Sequence, residues 1–260
     1  MHVVEPKAFI LGETCIDQDG ITSFLDTIGA GAWEIPEARS DGELLVEIAG
    51  RTCYKSFGTE LNANLTKVRS DHHEYIGNIL KTKHGSVLEH ATTTVGLVGV
   101  SRILTHELVR HRAGCAYSQE SMRFVRLEDV GMYIPECFKG NPTAEDLFYD
   151  AVTDAENKYR TLTELLIKDD MPFTKKKEIT SAIRRIAPSG HSTNIVVTAN
   201  HRAWRHLLEL RTAPGAEEEI RLVFHDIACQ FAQRYPAFYQ DMVFDEGDWH
   251  LPVTFKNEKI

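Results

Sequence analysis

A short β-branched run, Ala91 to Val100 (ATTTVGLVGV), sits in a chain whose other patterned segments mostly repeat at helical spacing. This contrast constrains the fold most, because a strand and a helix bury their side chains at different periods. Asp41 to Lys55 spaces Leu44, Leu45 and Ile48 for a helix, with Asp41 as its N-cap. Ser70 to Lys83 predicts a second helix that turns Tyr75, Ile76, Ile79 and Leu80 inward, followed by a loop at residues 84–86. Ser101 caps a third helix, which is expected to run through Arg112, and Tyr117 to Leu127 reads as a loop leading into a strand. Residues 143–168 predict a long helix with Leu147, Ala151, Ala155 and Tyr159 four apart. Met171-Pro172 breaks it, and another helix runs to Ala187. Ile195 to Thr198 is a second strand candidate. Two more helices, Asn200 to Arg211 and Ala216 to Arg234, are separated by Pro214-Gly215. No linker, repeat or low-complexity segment interrupts the chain, so one α+β domain over residues 1–260 is expected.

Several function classes drop out. An apolar share of 42% with 26% charged residues excludes global disorder. No apolar run approaches the ~18–20 residues of a membrane helix, and the first residues lack the basic-then-apolar pattern of a secretory signal. The five cysteines are scattered without a CxxC pair, which supports neither a disulfide framework nor a zinc ribbon. A cytoplasmic location is the expectation. The net charge of −9 argues against duplex DNA as a partner, yet leaves room for a small anion held by a local arginine cluster. Gly96-Leu97-Val98-Gly99 has the wrong spacing for a dinucleotide fingerprint, and neither a phosphate loop nor a GxSxG elbow is present. His106-Glu107 and His111 resemble a zinc motif, but five residues of helix separate the histidines by about 140°. No metal site is expected.

The segment from Arg110 to Phe124 (RHRAGCAYSQESMRF) is the informative one. It holds Arg110, His111, Arg112 and Arg123, two serines, Gln119 and Glu120. On a helix, Arg110 and Arg112 would point about 200° apart and could serve different partners. In an extended chain, Ser121 and Arg123 share one face and Met122 and Phe124 the other. Serine with arginine forms a clamp for phosphate or carboxylate, since guanidinium binds such oxygens in pairs. A solvated basic turn with ion pairs is the competing reading. Cys115 lies among arginines that would lower a thiol pKa, but without a neighbouring base a small buried side chain is the better reading there and at Cys137.

The pattern Arg110-His111-Arg112, a spacer, then Ser121-Met122-Arg123-Phe124 resembles the signature of flavin-dependent thymidylate synthases. Upstream, His84-Gly85-Ser86-Val87-Leu88-Glu89-His90 is similar to the family's His-x-Ser/Thr-x-x-Glu-His loop. Downstream, Arg184-Arg185-Ile186-Ala187-Pro188 resembles its Arg-x-x-x-Pro segment. Asn200-His201-Arg202, Leu210-Arg211 and Glu219-Ile220-Arg221 resemble its C-terminal helix pair. The resemblance implies a homotetramer of α+β subunits, each with a small, mostly antiparallel sheet packed by helices, and FAD bound between subunits. It implies reductive methylation of dUMP to dTMP, with methylenetetrahydrofolate as carbon donor, NADPH as reductant and the flavin as hydride carrier.

Residue by residue, the resemblance places Ser86, Glu89, Arg110, His111, Arg112, Asn200, Arg202 and His206 at the FAD. It places Glu107, Arg110, Glu120, Ser121, Arg123, Arg184 and Arg211 at the nucleotide. Arg211, Ser121 and His84 form the catalytic set, with Arg211 against the pyrimidine and His84 near the reacting rings. Asn200 and Arg211, eleven residues apart, share a face if their helix is unbroken. Trp204, Leu207, Leu208 and Leu210 on that helix are expected in the core. No catalytic thiolate is needed. This chain departs from the family at four points: the Arg112–Ser121 spacer is one residue longer than usual, Glu107 replaces a common Gln, Gly215 a common His, and Phe124 a common Tyr. The alternatives are a flavin-dependent C5-methylase or hydroxymethylase acting on another pyrimidine nucleotide such as UMP, and a flavin- or nucleotide-binding homologue without catalysis. RNA binding by residues 102–126 fits poorly with the acidic balance and the lack of interleaved aromatics.

Overall fold

The computed structural model describes residues 1–58, 62–65, 67–122 and 129–257. Its centre is a four-stranded antiparallel sheet in the order β2 (Lys7–Glu13), β3 (Thr92–Ser101), β6 (Ser192–Asn200), β4 (Cys115–Gln119). The β-branched run is β3, and it pairs with a strand a hundred residues away: Val95 lies opposite Val197 and Leu97 opposite Ile195. Short strands β1 (His2–Val3) and β5 (Gly131–Met132) pair in parallel, and β7 (Met242–Val243) pairs antiparallel with β8 (Thr254–Phe255).

Strand alternation puts Val95, Leu97, Ile195, Val197 and Ala199 on the inner face, where they are buried. Eight helices are described: α1 (Gln18–Thr27), α2 (Asp41–Tyr54), α3 (His72–Lys81), α4 (Arg102–Leu108), α5 (Pro142–Leu166), α6 (Phe173–Ile183), α7 (His201–Thr212) and α8 (Glu218–Arg234). Tyr75, Ile76, Ile79 and Leu80 of α3, Trp204, Leu207 and Leu208 of α7, and Ile220, Val223, Phe224 and Ile227 of α8 share one core with the inner sheet face. The outer face is different. Phe9 (49% exposed), Leu11 (59%), Val98 (45%) and Val196 (38%) stay open to solvent.

Several sequence expectations shift. Ser40, not Asp41, caps α2 by accepting from the Glu43 backbone amide, while Asp41 accepts from the amide of Ile16. The residues expected to form a loop after His84 wind into a 3-10 turn, Gly85–His90. Ser101 caps α4 as expected, but the helix stops at Leu108 rather than Arg112. The chain must reverse there to enter β4, and Gly114 makes the reversal at φ +70°, where a side chain would be strained. Arg110, His111 and Arg112 therefore form a turn, and helical angles between them do not apply. The segment taken as a loop from Tyr117 begins as strand β4 at Cys115. Arg123 and Phe124 lie outside the described residues.

The stripe expected on the long helix is also displaced. Leu147 is 66% exposed, while Val152, Glu156 and Tyr159 are buried. A strict four-residue repeat drifts about 40° per step on a helix of 3.6 residues per turn, so the four positions never formed one face. Leu210 likewise turns outward (43% exposed) because it falls about 120° from Trp204. The N-terminal strand β2 and helix α1 were not anticipated. Among the described residues, no helix is long and apolar enough to cross a membrane.

Candidate functional site

Strand pairing assembles the site. Cys115 at the start of β4 lies opposite Ala199 near the end of β6. That register sets the Arg110–Gly114 turn against the start of α7. Asn200 closes the junction: its side-chain oxygen accepts from the Ala203 amide at 2.8 Å, and its backbone amide donates to Gly114 O at 3.2 Å. A Cβ on Gly114 would come within 2.5 Å of the Asn200 side-chain nitrogen. Glycine is thus required twice at this point, for its φ and for the close approach.

A first cleft, of about 380 Å³, opens at this junction and is lined by Glu89, Gly114, Asn200, Arg202 and His206. Arg202 donates to Glu89 at 2.6 Å, which ties α7 to the 3-10 turn. Ser86 is exposed on that turn, and Arg112 is exposed beside Ala113. The N-terminus of α7 adds its dipole, which favours an anion.

A second cleft, of about 560 Å³, lies between α4, β4 and the 3-10 turn Arg184–Ile186. Glu107, Arg110, Gln119 and Arg184 line it, as do Arg102 and His191, which were not anticipated. Arg102 Nε donates to His191 Nε2 at 2.8 Å, and its Nη2 donates to Glu120 O at 2.8 Å. Burial and the neighbouring Arg184 charge hold Arg102 below its ordinary pKa. Clustered cations of this kind await an anion. The signal that could have revealed Arg102 is its place directly after the capping serine, on the first turn of a helix that points at the cleft. The Glu120 carboxylate binds the Asn194 side chain at 2.7 Å and its amide at 3.1 Å, so it braces the end of β4. Met122 lines the same cleft, next to Ser121.

Arg211 joins elements from both clefts. Its Nη1 meets Glu107 Oε2 at 2.6 Å, and its Nε and Nη2 donate to His111 Nε2 at 2.9 and 2.6 Å. The His111 ring meets that of His206, from the first cleft, edge-on at 6.0 Å. A ring nitrogen accepting from a guanidinium carries no proton. Burial, then the charge of Arg211, lowers the His111 pKa accordingly. Helix α7 runs unbroken from His201 to Thr212, as a shared face for Asn200 and Arg211 requires.

The remaining sequence candidates sit elsewhere. His84 lines a third cavity, with its ring stacked on Tyr54 at 5.6 Å. Burial raises the Cys115 thiol pKa, the opposite of what its arginine-rich sequence neighbourhood suggests, and Cys137 is exposed. Among the described residues, no group of three His, Cys, Asp or Glu side chains could hold a metal ion.

Residues 35–237 match the family model described as thymidylate synthase complementing protein. That span contains every candidate residue above. The chain belongs to this family. Among its relatives, the flavin-dependent thymidylate synthase of Corynebacterium diphtheriae is 37% identical over 193 residues, 73% of this chain and 74% of that protein. The protein of the same name from Mycobacteroides abscessus is 36% identical over 206 residues, 77% of this chain and 79% of that one. A third, from Corynebacterium aurimucosum, is 33% identical over 213 residues, 80% and 83% of the two chains.

Proposed function

We propose that the chain is an FAD-dependent thymidylate synthase that methylates C5 of dUMP, taking its carbon from methylenetetrahydrofolate and its electrons from NADPH. The observation that carries this reading is a chain of contacts linking two clefts that each suit a phosphate-bearing ligand: Glu107 of the second binds Arg211, Arg211 binds His111, and His111 meets His206 of the first.

The first cleft fits FAD. A helix N-terminus, Arg202 and His206 suit its diphosphate, and the side-chain-free Gly114 allows close approach. Glu89, Asn200, Arg202 and His206 would hold it, with Ser86, Arg110, His111 and Arg112 at its edge. Bound there, FAD supplies the hydride that completes the methyl group.

The second cleft is the nucleotide site. Arg184 and Arg110 face the phosphate, together with Ser121 and Arg123, whose alternation in an extended chain would place them on one side. Glu120 positions that segment through Asn194. Arg211 stabilises the negative charge that builds on the pyrimidine as C5 becomes nucleophilic, a fixed cation already aimed at the place where charge develops. Glu107 holds the guanidinium in orientation. His111, uncharged, steadies it without repelling it. His84 stacks on Tyr54 in the third cavity, and its place near the reacting rings rests on the family resemblance.

The homotetramer with sites between subunits belongs to the same proposal. The apolar outer sheet face around Phe9, Leu11, Val98 and Val196 supports it, since single-sided sheets normally face water with polar residues.

Purified protein tests the reading. It should show flavin absorption and release tritium from C5-labelled dUMP when NADPH and methylenetetrahydrofolate are supplied. A colourless protein that takes up no added FAD overturns it. Release from UMP in place of dUMP would transfer the activity to another pyrimidine nucleotide.

A further inference from the structure

The third cavity, about 240 Å³, lies between α2, α3 and the segment before α3. His84 and Tyr54 form one part of its wall, with Tyr54 Oη 3.3 Å from His84 Nε2. Lys67 and Arg69 form another part, and the side chains of Ser56 and Asn78 add neutral donors.

The charge balance of this cavity is unusual for a chain of net charge −9. Arg51 also lines it, but that guanidinium is already committed. It binds Glu47 at 2.7 Å, Ser56 O at 2.7 Å and Arg69 O at 2.5 Å, and it stacks over the Tyr75 ring at 4.3 Å. Arg51 and the fully buried Glu47 therefore cancel. Lys67 and Arg69 are in a different position. Both approach the same carboxylate oxygen, Glu74 Oε1, at 2.7 and 3.4 Å. Two cations sharing one carboxylate leave a surplus positive charge. Both side chains are partly exposed, so exchanging Glu74 for an incoming anion involves little desolvation.

We infer that this cavity is an anion subsite that takes the carboxylate-bearing tail of the folate donor while the donor's ring system reaches past His84. The inference rests on the function proposed above. Its chemistry is specific: the two phosphate-bearing ligands are matched by the other two clefts, and methylenetetrahydrofolate is the reactant that carries a reacting bicycle at one end and glutamyl carboxylates at the other. A surplus cation at a distance from the reacting rings recognises such a tail by charge. It contributes equally before and during reaction, so it acts on affinity and not on the chemical step. NADPH is also anionic, and the test separates the two.

The test uses the FAD-loaded enzyme and donors carrying one or three glutamates. In the wild type, kcat/KM should favour the triglutamate by about tenfold, the effect of one good charged contact. In the Lys67→Ala/Arg69→Ala double variant the preference should fall to about onefold, through KM. Glu74→Gln, which frees both cations, should change the preference in the opposite direction and increase it. The KM for NADPH should move less than about twofold in each case. The inference is overturned if the wild type ignores tail length, if the double variant keeps the preference, or if only the NADPH KM rises. Flavin content reports folding. Should the double variant lose its flavin, Lys67→Ala and Glu74→Gln alone decide by their opposite signs. A wild type that makes dTMP with no tail preference sinks this inference only. One that makes no dTMP sinks the proposed function with it.

Discussion

Two of the three arginines on helix α7, Arg205 and Arg211, face opposite demands. Arg205 is 4% exposed and held on a buried partner: Nη1 donates to Phe238 O at 2.7 Å, and the fork grips Asp241 at 2.8 and 3.0 Å. Its guanidinium also lies 4.0 Å over the Phe255 ring. Arg211, less than two turns further on, has all three nitrogens bonded as well, to the Glu107 carboxylate and carbonyl and to the neutral His111 ring, but it is 15% exposed and both partners are only partly buried. The same residue type in the same helix thus locks the C-terminal segment in one place and stays available to a ligand in the other. Full burial of both partners marks a structural ion pair, and a partly exposed pair whose carboxylate lines a cleft is the candidate for function.

The largest expected effect breaks the pair apart on activity. Arg211→Ala should lower turnover on the order of a thousandfold or more while FAD stays bound. Loss of flavin with nucleotide affinity unchanged would show that the role assigned to Arg211 is wrong. Next comes stability. Arg205→Ala leaves Asp241 buried without its cation and should cost about 3–5 kcal/mol in urea unfolding, against less than about 1 kcal/mol for Arg211→Ala. Equal losses for the two would erase the distinction. Burial pushes the Asp241 pKa up, yet the Arg205 hydrogen bonds prevail and hold it below the usual range. Its stabilisation is therefore present above the unfolded carboxylate pKa and is lost as pH falls through the folded one.

A third test uses a buried charge with no cation against it among the described residues. Glu219, at the start of α8, accepts from the Ser101 amide at 2.7 Å and also bonds the Ser101 hydroxyl. Burial pushes its pKa up to about 7. Between its unfolded value and about pH 7 the folded state binds the extra proton, so stability falls as pH rises through that window, by at most about 3 kcal/mol. Glu219→Gln should flatten this slope, and calorimetry from pH 4.5 to 7.5 reads it. The smallest effect is expected at the thiols. Cys115→Ala and Cys137→Ala should each keep activity within a few-fold of wild type; a dead enzyme in either case would reopen a thiolate mechanism.

Much of the site was legible in the linear chain. Asn200 and Arg211 are eleven residues apart and Arg202 and His206 four apart, both helical intervals, and the structure keeps them on α7 and its N-cap. The cap Ser101 was readable because a small polar side chain before an apolar period satisfies free helix amides. Arg102 left a signal in its place after the capping Ser101, but its pairing with His191 could not be read, because that contact spans 89 positions and exists only when β3 pairs with β6. The inward stripe of α5 was misplaced for a related reason: several helical faces of that segment carry apolar residues, and only packing chooses among them.

Local chemistry in the sequence determined which segments became strands and helices, where several of them start, and which arginines were candidates for an anion. Only the tertiary structure decided which of those arginines are consumed by partners and which remain open, because that depends on carboxylates from distant parts of the chain. Glu107 reaches Arg211, Asp241 reaches Arg205, and Glu74 is shared by Lys67 and Arg69. The energy of a charge is set by its nearest neighbours and its distance from water, and neither is a property of position along the chain.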